Sequence, residues 1–140
     1  MIHSDQDLLN TDADIIVQYY TPYVANDGLS EEIKNRYPIV EQRIMETLKK
    51  IDIEVISGHV QMIKVKPTKY VAVIYGDFCN NRYINYNALA IGLLKIQTKI
   101  CVTDLSITIS CYLNDEYDEI VKLMIIGAFA ELNNEIYICR

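Results

Sequence analysis

Apolar positions recur at three- and four-residue steps through much of the chain, a period that predicts helices. In residues 12–25, Ile15, Ile16, Tyr19, Tyr20, Tyr23 and Val24 form one apolar stripe, with Asn10, Thr11 or Asp12 available as its cap. Pro22 argues mildly against this helix, because an interior proline removes a hydrogen bond, and Gly28 reads as the stop. Ser30-Glu31-Glu32 then places acidic residues in a first turn, where the helix dipole favours them. From Pro38 the pattern strengthens: Val40, Ile44, Leu48 and Ile51 recur at steps of four, four and three, while Glu41, Gln42, Glu46 and Lys49 lie elsewhere around the turn. Pro67-Thr68 suits a further helix start, followed by Val71, Ile74, Tyr75 and Phe78 as far as Asn80-Asn81. Residues 84–96 carry hardly a charge, which predicts a central helix buried nearly all round. Residues 116–132 hold helical spacing with one break at Gly127.

Two stretches follow a different period. Ile51, Ile53 and Val55 alternate with Asp52 and Glu54, and after Ser57-Gly58-His59 comes Val60-Gln61-Met62-Ile63-Lys64-Val65-Lys66, which locally reads as a β-hairpin. Leu105, Ile107, Ile109 and Cys111 alternate with Ser106, Thr108 and Ser110 in the same way. On pattern alone an α+β domain therefore competes with an all-α one. The tail, residues 136–140, is expected to pack back on the domain.

Length and charge narrow the function classes. A chain of 140 residues and 51% hydrophobic composition fits one domain, residues 1–140, with its own core. The net charge of -6, without a basic run to offset it, argues against nucleic-acid binding. The longest apolar runs, such as Met124-Ile125-Ile126, are far short of a membrane span, and Met1-Ile2-His3-Ser4-Asp5 lacks a signal-peptide pattern, so a cytosolic protein is expected.

No convergent catalytic set stands out. Cys79, Cys101, Cys111 and Cys139 contain no CxxC pair, and His3 and His59 lie far from them, so no metal site is expected. Gly76-Asp77 and Gly58-His59 are isolated and form no phosphate loop, and His59 reads as a loop histidine. Asp115, Glu116, Asp118 and Glu119 read as a solvated helix face, and Tyr19, Tyr20 and Tyr23 as packing. The expectation is a protein that is not an enzyme, takes no cofactor, and binds through shape.

One resemblance gives that expectation a form. Asn85-Tyr86-Asn87-Ala88, opening the apolar segment Leu89-Ala90-Ile91, resembles the Asn-Trp-Gly-Arg signature of the Bcl-2 family of apoptosis regulators, with Tyr86, Asn87 and Ala88 in place of Trp, Gly and Arg. Further segments resemble the family in the same order. Ile15-Ile16-Val17-Gln18-Tyr19-Tyr20 up to Gly28 is similar to its first helix, and Val40, Arg43, Ile44, Thr47, Leu48 and Ile51 to its second. Tyr70-Val71-Ala72-Val73-Ile74 with Phe78 is similar to its fourth, and Tyr112-Leu113-Asn114-Asp115 and Phe129-Ala130-Glu131-Leu132 to its late motifs. No tryptophan is present and no C-terminal membrane anchor is expected, which is similar to homologues carried by large DNA viruses of the iridovirus or poxvirus type.

The resemblance implies an all-α, Bcl-2-like helical bundle with a buried central helix and a groove for BH3 helices. By carry-over, Val40, Arg43, Ile44, Thr47, Leu48, Ile51, Ile74, Phe78, Asn85, Ala88, Ala90 and Ile91 are the groove residues. Ala88 stands where the family's arginine pairs with the BH3 aspartate, leaving Arg43 or Arg82 to substitute and implying a narrow partner range. The implied function is anti-apoptotic: sequestration of a BH3-only protein such as Bim, with Bak or Bax as further partners, in the host cytoplasm. The alternative is the same fold with a closed groove that binds inflammatory signalling adaptors. Cys79, beside polar residues, is the candidate for an intermolecular disulfide that would make a homodimer. A third class, a small α+β enzyme or ligand-binding domain, rests on the two alternating stretches.

Overall fold

The chain runs β1 (Ile2–Gln6), β2 (Ile15–Tyr20), α1 (Gly28–Arg36), α2 (Pro38–Lys50), β3 (Val60–Lys66), β4 (Lys69–Tyr75), α3 (Tyr86–Ile100), β5 (Ile109–Tyr112), α4 (Asp118–Phe129) and β6 (Ile136–Cys139). The computed structural model describes residues 1–7, 12–23, 28–79, 84–100, 107–112 and 118–139. The strands form one sheet in the order β1-β6-β5-β2-β4-β3. All neighbours are parallel except β3, which runs antiparallel to β4 at the edge. The expected all-α bundle is therefore replaced by a mixed α/β sheet with four helices.

The two largest errors of the helical reading share one cause. Residues 12–25 and 67–78 were expected as helices, yet they contain the central parallel pair β2 and β4, in register from Ile15↔Tyr70 to Tyr20↔Tyr75. A strand covered on both faces needs no polar alternate, so it reads as a continuous apolar run in which three- and four-residue matches arise by default. The β-branched and aromatic content of Ile15-Ile16-Val17 and Tyr70-Val71-Ala72-Val73-Ile74-Tyr75 settles the choice for strand.

Edge strands keep the alternation. β3 forms where the hairpin was expected, but its partner is β4, across the two-residue turn Pro67-Thr68, and not residues 51–55. Residues 51–59 instead form turns closed by Gly58 N–H donating to the Tyr75 carbonyl at 2.8 Å and His59 N–H donating to that of Ile56 at 2.9 Å. The tail forms β6, paired to β5 and β1 inside the sheet. α4 runs through Gly127 without a break.

Alternate strand residues point to two separate cores. On one face Ile16, Tyr20, Val71, Val73 and Tyr75 pack beneath Ile33, Val40 and Ile44 of α1 and α2. On the other, Ile15, Val17, Ala72, Ile74, Ile109 and Ile136 pack beneath Leu89, Leu93 and Ile96 of α3 and Val121, Ile125 and Phe129 of α4. A Cβ at Gly92 would collide with the Ile74 side chain, so this glycine lets α3 press close on β4. α3 is one-sided and not buried all round: Ile91 is 47% and Leu94 55% exposed. No helix among the described residues is long and apolar enough to cross a membrane.

Candidate functional site

In a parallel sheet every following helix starts at the carboxyl edge of the strands, and a ligand crevice opens where successive connections leave to opposite faces. That point lies at β2. Its chain continues into α1 on one face, while its neighbours β4 and β5 continue into α3 and α4 on the other.

The residues at this point are tied together. Gly76, just past β4, donates its N–H to the Tyr20 carbonyl at 2.9 Å. A Cβ there would fall on the Tyr19 hydroxyl and on the Thr21 methyl, so only glycine lets the Tyr19 ring cross the strand end. The Tyr19 hydroxyl accepts the Asn85 backbone N–H at 3.0 Å. Asp77 receives the Cys79 N–H on one carboxylate oxygen at 2.9 Å and the Asn85 side-chain amide on the other at 3.4 Å. Asn85 Oδ1 in turn accepts the Ala88 N–H at 3.0 Å, which makes Asn85 the N-cap of α3.

This network fixes charge as well as shape. Burial raises the Tyr19 phenol above its ordinary value; the backbone amides of Asn85 and Asp77 oppose that shift and the Asp77 charge adds to it. Tyr19 therefore keeps its phenolic proton across the physiological range. α3 has no acidic residue in its own first turn, whereas α1 carries Glu31 in its first turn, and the carboxylate that meets the N-terminus of α3 is Asp77, through the Asn85 side chain. The same edge receives the end of β1, where Asp5 sits at φ 59° beside a register shift between His3 and Gln6. A positive φ at a residue other than glycine stores strain, which concentrates at functional positions. Among the described residues no group of three metal-ligating side chains converges.

The twelve residues expected to line a BH3 groove do not share a surface. Val40 and Ile44 are buried, and Leu48 and Ile51 partly buried, under the α1–α2 face with Phe78, while Ile74 points into the opposite core. Arg43 pairs with Glu46 at 2.9 Å, and the Thr47 hydroxyl donates to Gln61 Oε1 at 2.9 Å. Ala88 is buried in α3, Ala90 is half-buried, and Ile91 is exposed. A sheet stands between the two groups, so no continuous groove joins them. Of the twelve, Asn85 and the backbone N–H of Ala88 belong to the network at the strand ends, and Cys79 donates its own N–H to that network's Asp77 and is an exposed free thiol. Cys101 and Arg82 lie outside the described residues, as do Asp115 and Glu116 of the acidic cluster.

The sequence reading set Gly76-Asp77 aside as isolated and Tyr19 aside as packing. The signal that finds them is an apolar β-branched run ending in glycine, then an acid, then a capping asparagine before an apolar helix: Val73-Ile74-Tyr75-Gly76-Asp77 and Asn85.

No family model and no curated protein matches the chain. Solved structures do. The macrodomain of Thermus aquaticus DarG has a TM-score of 0.80 at 16% identity, covering 100% of this chain and 98% of that one. The macrodomain of Mycobacterium tuberculosis DarG has a TM-score of 0.79 at 19% identity, with 99% and 97% covered. Thermosipho africanus DarTG in complex with ADP-ribose has a TM-score of 0.67 at 13% identity over 91% of this chain and 38% of that one. The chain therefore has the macrodomain fold. This overturns the Bcl-2 resemblance, the bundle, and both functions drawn from it, BH3 sequestration and adaptor binding through a closed groove. The apoptotic partners and the assignment to viral homologues of that family fall for the same reason. The expectation of a protein that is not an enzyme rested on the absence of a convergent catalytic set and on the peptide groove, and the likeness to macrodomain structures overturns it.

Proposed function

We propose that the carboxyl edge of the sheet binds ADP-ribose, free or as an ADP-ribosyl group on a carrier, and is the place where its bond to the carrier is hydrolysed. The observation that carries this reading is the Tyr19–Gly76–Asp77–Asn85 network at the switch point of a fold whose solved examples include a DarTG structure in complex with ADP-ribose. The chemistry suits the ligand. A diphosphate is stabilised by backbone amides at the N-terminus of α3. Carboxylates such as Asp77, and Asp5 at the end of β1, accept hydrogen bonds from ribose hydroxyls or an adenine amino group. For hydrolysis, water adds to the ribosyl carbon as the carrier leaves, and Asp77 is the half-buried carboxylate at this edge that takes the proton from that water.

Calorimetric titration tests the reading. ADP-ribose is expected to bind with a dissociation constant on the order of micromolar, about 8 kcal/mol. Asp77→Ala is expected to weaken binding by about tenfold, roughly 1.4 kcal/mol, and to slow release of ADP-ribose from an ADP-ribosylated carrier. A folded protein that shows no heat with millimolar ADP-ribose contradicts it.

A further inference from the structure

The sheet ends on β3, and an edge strand turns every second backbone N–H and C=O away from its neighbour, where another chain can pair with them. The two faces of β3 differ. Ile63 and Val65 pack into the core under α2, while Val60 and Met62 pack on the α3 side, where the alternation also sets Lys64, opposite Tyr70. Between this face and α3 runs an open groove of about 590 Å³, lined on its apolar side by Val60, Ile91 and Leu94. Ile91 and Leu94 are large exposed apolar side chains, and an apolar strip rimmed by charge is the form a docking groove takes.

The charge around the groove distinguishes one class of occupant. Residues 55–76 hold three lysines and α3 holds two, and neither stretch contains an aspartate or glutamate, in a chain whose net charge is -6. Lys99, at the far end, has Asp14 nearby, so the unbalanced charges are those of Lys64 and Lys95. Both enter none of the ion pairs among the described residues. The Lys95 ammonium is fixed at the groove by donating to the Gly58 carbonyl at 3.0 Å, which leaves its other N–H groups for an acceptor. A second copy joined β3 to β3 would line one seam with two sets of Lys64 and Lys66 and no carboxylate, which opposes that pairing. We propose that this edge takes an acidic, extended polypeptide segment of a partner protein as an added strand, with apolar side chains against Val60 and Ile91 and carboxylates at Lys64 and Lys95.

β3 is separated from β2 by β4, and the proposal does not depend on ADP-ribose binding. The probe is a peptide of alternating valine and glutamate, long enough to span β3. Titrated into the isotope-labelled full chain, it is expected to give saturable amide shifts at Val60, Met62 and Lys64 and slowed hydrogen exchange along β3. The same peptide with lysine in place of glutamate, and the glutamate peptide carrying N-methyl groups along its backbone, are expected not to bind. Lys64→Glu, a change at an exposed position, is expected to weaken the glutamate peptide about fivefold and to leave ADP-ribose binding unchanged. Absence of shifts at millimolar peptide, equal binding of the lysine or N-methylated peptide, or an affinity that Lys64→Glu leaves intact overturns the proposal. So do the same shifts arising with protein concentration alone, as a second copy would give, and tighter binding of a single-stranded oligonucleotide at the same amides.

Discussion

The two ends of the same strands have been finished differently. At the amino end Asp14 closes on Thr108 through a reciprocal pair, Asp14 N–H to the Thr108 hydroxyl at 3.0 Å and Thr108 N–H to the Asp14 carboxylate at 2.9 Å, which satisfies the polar groups locally. At the carboxyl end the polar groups are spread over β2, the segment after β4, and the cap of α3, so Tyr19, Asp77 and Asn85 hold one another in place around Gly76. The first arrangement staples the fold. The second spends hydrogen bonds across three elements to fix a constellation, which is what a binding site needs and a structural edge does not.

The sharpest way to break the distinction is Gly76→Val. The new side chain lands on the Tyr19 ring, and the resulting overpacking is expected to cost about 3 kcal/mol in urea unfolding while abolishing ADP-ribose binding. Asp14→Ala separates stability from binding. Losing charge-assisted hydrogen bonds to Thr108 is expected to cost roughly 2 kcal/mol, yet calorimetry is expected to return an unchanged ADP-ribose affinity. Asn85→Ala is its counterpart at the other edge, where loss of the α3 cap is expected to cost only about 1 kcal/mol but to weaken ADP-ribose by tenfold or so. If Asp14→Ala weakened the ligand more than Asn85→Ala, the edges would not differ in the way described.

The smallest effect concerns alkaline pH. Burial pushes the Tyr75 phenol up to about 12 from its ordinary value of 10.0. Between those values the unfolded chain releases a proton that the folded chain keeps, so stability falls as pH rises through that window. Tyr19 and Tyr20 are shifted in the same direction, chiefly by burial. Tyr75→Phe also removes the hydroxyl that donates to Gln61 at 2.6 Å, so its stability is expected to be lower at neutral pH, and its decline across the alkaline window shallower than that of the unmodified chain.

Much of the architecture was legible wherever one face of an element meets water. The spacing of Val40, Ile44 and Leu48 marks α2, and the alternation of Val60 to Lys66 marks β3, because in both the polar residues report the solvent side. β2 and β4 gave no such report, since both of their faces are covered, and reading them as helices converted an α/β sheet into a bundle. The site suffered in consequence. Asp77 seemed isolated while the strand before it was taken for a helix, and Asn85 was singled out for a groove when its position before Tyr86 marks a helix cap. The resemblance built on these segments matched apolar order, which strands and helices share.

The most direct measurement is an amide spectrum of the isotope-labelled chain titrated with ADP-ribose. The account expects saturable shifts at Gly76, Asp77 and Asn85, with Asp14 and Thr108 unmoved. Shifts confined to Asp14, Thr108 and the α2 surface, or no shifts at saturating ligand, would contradict the assignment of the site to the carboxyl edge.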